Sequence, residues 1–193
     1  MRHRIFLLSP ANLGGIRGRQ AIGNHSPVGR SLGDVFTSIS SLYFRGKRAY
    51  SSAFASPPEG IPGSLIITQG RGLLPVETAV DADDLREMAA IDIDLGEPRY
   101  LEPLLKDLLT LHESAGPECE VILLGSIATP KYVEPLLNTF GSRLLFPSQF
   151  VGRGDMSRGG LMLRHVREGV ELDYIPVEGA LRRGPRPPKL PKL

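Results

Sequence analysis

Short apolar runs alternate along the chain with longer stretches whose apolar residues recur at helical spacing. Short continuous apolar runs bounded by turn residues are typical of strands buried on both faces of a parallel sheet. They predict strands at 4–8, 64–68, 120–125 and 142–147. Helices are predicted at 31–54, with a break at Gly46, at 97–116, and from Thr129 to a glycine stop. The alternation predicts one α/β domain over 1–178, with a mainly parallel central sheet flanked by helices.

Three segments have a weaker pattern. Residues 9–30 contain five glycines and two prolines, which indicates a long loop, and such loops in compact domains are usually functional. Residues 160–177 alternate around an Arg-Glu-Gly turn and are interpreted as a C-terminal hairpin, with a helix through "GGLMLRHV" as the competing interpretation. Residues 179–193 are basic and proline-rich, which predicts an extended or disordered tail.

Composition narrows the class of protein. A chain of 193 residues that is 41% hydrophobic is long enough for one globular core. The apolar stretch at 5–8 is too short for a signal peptide or a membrane helix, so we expect no membrane partner. The single cysteine, Cys119, cannot form an internal disulfide, which favours a cytoplasmic protein with a packed thiol. The histidines lack metal-ligand spacing and no nucleotide-binding fingerprint is complete, so we expect neither a metal nor another cofactor.

Charge is segregated along the chain, although the net charge is only +2. Residues 1–50 carry eight Lys or Arg and one acid, residues 51–120 carry four and fourteen acids, and residues 121–193 carry eleven and six acids. If the basic ends meet in the fold, they form a positive face opposite a negative one. Such a face predicts an anionic partner, either nucleic acid or a nucleotide.

Glycine and arginine recur in the loops that follow the predicted strands. In a parallel sheet these loops gather at the carboxyl ends of the strands, where ligands bind. Backbone amides at a helix N-terminus and arginine side chains both suit phosphate. The sequence therefore predicts an anion pocket at this edge, lined with arginine and glycine. The candidate ligand-binding residues are Ser9, Asn12, Arg17, Arg19, Arg71, Ser126, Thr129, Lys131, Arg153, Ser157 and Arg158.

Asp155 lies among the arginines of the loop "VGRGDMSRGG". A carboxylate in this position is either a structural partner that orients guanidinium groups, or a general base or sugar-hydroxyl acceptor. It is a weak candidate for a catalytic residue, since no nucleophile and base occur at a recognisable spacing.

The helix predicted at 31–54 carries a second group of candidates in "SLYFRGKRAY". Helical spacing favours Phe44 in the core. The basic edge expected beside it consists of Arg45, Lys47 and Arg48. A base-stacking platform formed by Tyr43, Phe44 and Arg45 is the alternative.

Four segments resemble a known family. "IFLLSPANL" resembles the start of the YaaA-type peroxide-stress-resistance family, whose first strand runs into an Ile-Ser-Pro-Ala-Lys-Thr-Leu motif, with Asn12 here in place of the lysine. "RGLLP", "VILLGSIATPKYVEPL" and "MSRGGLMLRHV" resemble later segments of that family in the same order. "SLYFRGKRAY" is also similar to small uncharacterised bacterial domains with a Phe-Arg-Lys-Ala-Arg-x-Tyr helix. The resemblance implies a DNA-associated protein that has a basic cleft and acts under oxidative stress. Relatives of that family are also linked to the modification of deazaguanine bases in nucleic acid.

Three functions follow as hypotheses. The first is a protein that binds nucleic acid through the basic ends and arginine loops. The second is an enzyme that modifies a nucleoside or nucleobase by glycosyl transfer or base hydrolysis, and a flipped base would join these two hypotheses. The third is a scaffold whose tail, with Pro-x-x-Pro spacing, recruits a protein partner.

Overall fold

A computed structural model describes residues 2–23 and 30–190 of the chain. The elements alternate between strands and helices, as the apolar pattern predicts. The strands are β1 (Arg4–Leu8), β2 (Arg30–Ser31), β3 (Ser64–Ile67), β4 (Leu73–Pro75), β5 (Ala79–Val80), β6 (Glu120–Leu124), β7 (Leu144–Pro147) and β8 (Tyr174–Pro176). The helices are α1 (Ile16–Gly23), α2 (Leu32–Phe54), α3 (Ala82–Ala89), α4 (Pro98–Ala115), α5 (Pro130–Phe140) and α6 (Asp155–Glu168).

Six strands form the central sheet in the order β4-β3-β1-β6-β7-β8. The inner four strands run parallel, and β4 and β8 pair antiparallel at the two edges. Leu7 of β1 lies opposite Leu65 of β3 and Leu123 of β6, so β1 is a central strand. The fold is therefore α/β with a mainly parallel sheet, which confirms the predicted class.

Helices cover both faces of the sheet, which explains why the inner strands read as continuous apolar runs. On one face, Phe6 and Leu8 of β1 pack with α2 and α6. On the other face, Ile5 and Leu7 pack with α4 and α5. Residues 5–8 of β1 are thus all buried, whichever face of the sheet they point to.

Helices α2 and α6 touch through their backbones at two glycines. A Cβ on Gly46 of α2 would lie 2.7 Å from the carbonyl oxygen of Gly159 in α6. A Cβ on Gly159 would lie 2.5 Å from the carbonyl oxygen of Leu42. Only glycine permits so close an approach, and it brings the start of α6 beside the middle of α2.

The predicted hairpin at 160–177 is wrong. Residues 155–168 form α6, whose Leu161 and Met162 are buried against α2. The Arg-Glu-Gly turn is the end of this helix, because Gly169 adopts the left-handed conformation of a helix C-cap, with φ 68°. Only Tyr174–Pro176 forms a strand, and it pairs with β7.

Three other expectations need adjustment. The loop predicted at 9–30 contains α1, and its residues 24–29 lie outside the described part of the chain. Helix α2 runs through Gly46 without a break, and its kink lies at Ser41, with φ 45° and ψ −116°. Residues 181–190 of the predicted tail have no helix or strand, while residues 191–193 lie outside the described part. None of the described helices is long and apolar enough to span a membrane.

Candidate functional site

The connections that follow the neighbouring strands β1 and β6 run to opposite faces of the sheet, and a crevice lies between them. The chain leaves β1 toward α2 on one face of the sheet and leaves β6 toward α5 on the other face. Open α/β sheets bind their ligands at such a topological switch point. Ser9 and Gly125 stand on its two sides, where Ser9 N donates to the Leu124 carbonyl at 3.3 Å.

The crevice opens into a cavity of about 540 Å³, a volume suited to a small molecule. Its walls come from the loops after β1 and β3, from the segment between α3 and α4, and from the start of α5. The lining residues are Pro10, Ala11, Asn12, Gln69, Asp92, Ile93, Asp94, Lys131 and Tyr132. We call this cavity the switch-point crevice.

Gln69 has an unsatisfied oxygen in the wall of the switch-point crevice. The residue is only 9% exposed, and its Nε2 donates to the Ile91 carbonyl at 3.1 Å. Its Oε1 is buried without a hydrogen-bond partner in the described part of the chain. Leaving a buried acceptor unpaired costs about 1–3 kcal/mol, and a ligand donor in the crevice would remove that cost.

Lys47 is buried behind the switch point. The residue is 1% exposed, and its Nζ donates to the Ser9 carbonyl at 2.9 Å and to Ser9 Oγ at 2.7 Å. Its ammonium also lies 3.9 Å from the centre of the Tyr43 ring. No carboxylate lies within ion-pair distance of it in residues 2–23 and 30–190. Burial lowers the pKa of Lys47 to about 7.

The prediction that Lys47 belongs to a basic edge of α2 is therefore wrong, because Lys47 is buried. Tyr43, Lys47 and Tyr50 lie on the same buried stripe of the helix, because they follow one another at helical spacing. Arg48 lies on the surface, where it pairs with Asp34 at 2.5 Å and with Glu77 at 2.9 Å. Phe44 is fully buried, as predicted.

Tyr43 contributes a second unsatisfied group. Its hydroxyl oxygen is buried and lacks a hydrogen-bond partner of good geometry among the described residues. Burial raises the pKa of Tyr43 to about 12, while the nearby Arg158 guanidinium lowers it and the Asp155 carboxylate raises it. Burial also raises the pKa of Tyr132, and both Tyr43 and Asp155 are close enough to add to this effect. The first turns of α5 and α6 thus lie near Tyr43 of α2.

Two arginines of the predicted anion pocket, Arg71 and Arg19, bind nearby acids or their own loop. Arg71 bridges Asp84 and Glu87, each at 2.7 Å. Arg19 donates to the Gly14 carbonyl, and Arg17 is exposed on α1.

The arginines after β7 are also engaged. Arg153 donates to the Gln149 carbonyl at 3.0 Å and to Ser157 Oγ at 3.2 Å. Arg158 donates to the Phe150 carbonyl at 3.2 Å and lies 3.6 Å from the Asp155 carboxylate. Asp155 is the exposed first residue of α6. Among residues 2–23 and 30–190, no arginine lines the switch-point crevice.

Other predicted residues have mixed placements. Asn12 and Lys131 line the switch-point crevice, and Ser9 lies beside it. Ser126 Oγ accepts a hydrogen bond from Ala128 N at 3.3 Å, within its own turn. Thr129 occupies the N-cap of α5, but its side chain makes no capping hydrogen bond.

Sequence reasoning missed four residues of the crevice lining, which are Gln69, Asp92, Asp94 and Tyr132. It named Tyr43 and Lys47 only as members of a stacking platform and a basic edge, and not as buried residues behind the switch point. One signal was present for Lys47, since it lies four residues after Tyr43 within an apolar helical stripe. Gln69, Asp92 and Asp94 carried no signal, because only the folded chain brings their segments together.

A second surface lies between α6 and the C-terminal segment. Arg153 Nη1 approaches the Pro188 carbonyl at 3.4 Å, and Leu190 packs against the core. The groove between them has a volume of about 370 Å³. Its lining residues are Leu42, Arg153, Gly154, Met156, Ser157, Gly160, Arg164, Arg186, Pro187, Pro188, Lys189 and Leu190, and no acid is among them. We call it the tail groove.

No protein-family model, curated protein or solved structure matches the chain. The described residues contain no group of three or more His, Cys, Asp or Glu side chains arranged to hold a metal ion.

Proposed function

We propose that the chain binds a nucleoside or free nucleobase in the switch-point crevice. The observation that carries this proposal is that Gln69, which lines the crevice, has a buried and unpaired Oε1. A carboxamide acceptor pairs with the amino and imino groups on the edge of a base, as amide side chains do in base recognition. A base that reaches Oε1 would then supply the hydrogen bond that this oxygen lacks within the described part of the chain.

The other lining groups support a sugar-bearing ligand. Asp92 and Asp94 provide carboxylates that accept hydrogen bonds from ribose hydroxyls. The Tyr132 ring contributes an aromatic surface for a base. Lys131 is the single cation of the lining, so the formal charge of the crevice is negative when both aspartates are ionised. A neutral nucleoside is therefore favoured over a ligand with several phosphates.

Binding can be tested by calorimetric titration of purine and pyrimidine nucleosides and their free bases. Wild type is expected to bind at least one member, and Gln69→Leu is expected to weaken that binding by about 5- to 150-fold, the equivalent of 1–3 kcal/mol. Gln20→Leu is the matched control, because Gln20 is exposed on α1. Equal affinity in Gln69→Leu and Gln20→Leu, or no binding by wild type, would contradict the proposal.

A second candidate function is contact with a nucleic-acid backbone through the tail groove. Its lining holds four cationic side chains and no acid, which suits a chain of phosphates. The four cationic residues are Arg153, Arg164, Arg186 and Lys189. The scaffold hypothesis is less well supported, since a partner that captured Pro187 and Pro188 would have to displace them from this groove.

The second function is tested by fluorescence anisotropy of labelled duplex and single-stranded DNA across a salt series. Arg186→Ala/Lys189→Ala is expected to weaken binding and to reduce the log–log salt slope by about 0.9 per lost contact on duplex. Arg86→Ala/Arg99→Ala is the control, because both arginines are exposed and paired with acids elsewhere. A slope that is the same in both variants would exclude the tail groove as a polymer site.

A further inference from the structure

The pairing of Lys47 with Ser9 is unusual for a structural lysine. Burying an ammonium group is costly unless a carboxylate compensates it, and Lys47 has only a carbonyl, a hydroxyl and an aromatic ring as close partners. A neutral polar residue at this position could cap the Ser9 carbonyl at lower cost. The arrangement instead matches a serine whose hydroxyl is held against an amine of reduced basicity.

We propose that Ser9 is a nucleophile and Lys47 is its general base, and that the pair cleaves a carboxylic ester or amide bound at the switch point. The supporting geometry is the distance of 2.7 Å between Lys47 Nζ and Ser9 Oγ at the end of β1. The inference does not depend on whether the ligand of the crevice is a nucleoside.

The first half of the reaction transfers the acyl group to Ser9. Neutral Lys47 Nζ takes the hydroxyl proton of Ser9 while Oγ forms a bond to the carbonyl carbon, and the carbonyl π electrons move to its oxygen. When the carbonyl re-forms, the bond to the alcohol or amine breaks. The leaving group then takes the proton from the Lys47 ammonium.

Water completes the reaction in the second half. Lys47 accepts a proton from a water molecule, and the resulting hydroxide attacks the acyl carbon. The bond to Ser9 Oγ breaks, and Oγ recovers the proton from Lys47. The sum is one ester or amide plus water giving one acid plus one alcohol or amine.

The surroundings of Lys47 keep a useful fraction of it neutral. Burial is the main cause of its reduced basicity, and the Arg158 cation acts in the same direction, whereas the Asp155 carboxylate opposes both. The Tyr43 and Phe44 rings pack at 3.9 and 5.6 Å from the nitrogen. A base that titrates near the working pH is well suited to proton transfer.

Gly125 packs closely against the Ser9 side chain. Ser9 is 6% exposed and is followed directly by Pro10 in the lining of the switch-point crevice. A Cβ on Gly125 would lie 3.1 Å from Ser9 Oγ. We therefore expect the methyl group of Gly125→Ala to crowd Ser9 Oγ, to shift it from its position beside Lys47 and so to slow its reaction.

The test is labelling of the full chain with a fluorophosphonate probe, which reacts with activated serines, followed by intact mass and peptide mapping. Wild type is expected to take up one adduct, on Ser9, at a rate that rises between pH 6 and 8. Ser9→Ala should take up none, Lys47→Met should react at least 100-fold more slowly, and Gly125→Ala should also be slowed. Ser52→Ala should label like wild type, because Ser52 is exposed on α2.

Three results would overturn the proposal: no adduct on folded wild type, an adduct on another residue, or a rate that is unchanged in Lys47→Met. If circular dichroism shows that Lys47→Met does not fold, the pH profile of wild type decides, and a rate independent of pH would exclude Lys47 as the base. Nucleoside binding is measured separately on Ser9→Ala, so failure of the dyad and failure of the nucleoside site are distinguishable.

Discussion

The close contact between α2 and α6 predicts that alanine substitutions at two neighbouring glycines, Gly159 and Gly160, change the stability of the fold in opposite directions. A methyl group on Gly159 would lie 2.5 Å from the Leu42 carbonyl oxygen and 2.8 Å from Tyr43 Cα. Both are backbone atoms that cannot rotate away, so the helices must separate. On Gly160 the same methyl group would meet Leu190 Cδ1 in ordinary contact at 3.9 Å. The two positions share one helix and therefore share the gain in helix propensity, about 1 kcal/mol.

Overpacking a close contact costs about 1–3 kcal/mol, so Gly159→Ala is expected to be less stable than Gly160→Ala by about that amount. Urea denaturation followed by circular dichroism measures the difference. In thermal unfolding it corresponds to roughly 2–4 °C for each kcal/mol in a chain of this size. Equal stability of the two variants would refute the close approach of α2 and α6, and with it the position of Arg158 beside Tyr43.

Two further predictions concern Lys47 and α3. Since the pKa of Lys47 falls from 10.5 to about 7 on folding, the unfolded chain binds more protons between these values, and stability should rise with pH above 7. The contribution of Lys47 to the slope of the unfolding free energy against pH approaches about 1.4 kcal/mol per pH unit. If urea denaturation of Lys47→Met gives the same slope as wild type, Lys47 is not buried as described. In α3, Asp81 accepts from the backbone N–H groups of Asp83 and Asp84, so Asp81→Ala should cost about 0.5–2 kcal/mol by the same assay, and Asp83→Ala markedly less.

The strands and the fold class were predictable because burial on both faces leaves a direct trace in the sequence. The runs at 4–8 and 120–125 are apolar since β1 and β6 are central strands with helices on either side. Helix α6 was harder to identify, because its closest contact with α2 is made at Gly159, which has no side chain to mark a buried face. Its sequence therefore lacks the usual amphipathic stripe.

The candidate site was only partly predictable for a related reason. The carboxyl edge of the sheet follows from topology, and Ser9, Asn12 and Lys131 lie at that edge, in or beside the switch-point crevice. Charge alone does not show which cation is exposed, so the sequence predicts Lys47 at the surface, whereas it lies in the core. The partners of Arg71 are likewise set by the packing of α3, and the sequence gives no measure of that contact.

Mapping of amide chemical shifts during titration with nucleosides tests the central claim most directly. The claim predicts that shifts concentrate on 11–12, 69, 92–94 and 131–132, which surround the switch-point crevice, and that they diminish in Gln69→Leu. Shifts confined to 153–164 and 186–190, along the tail groove, would instead place the ligand against α6. That result, or the absence of shifts with every nucleoside and base, would contradict the crevice as the ligand site.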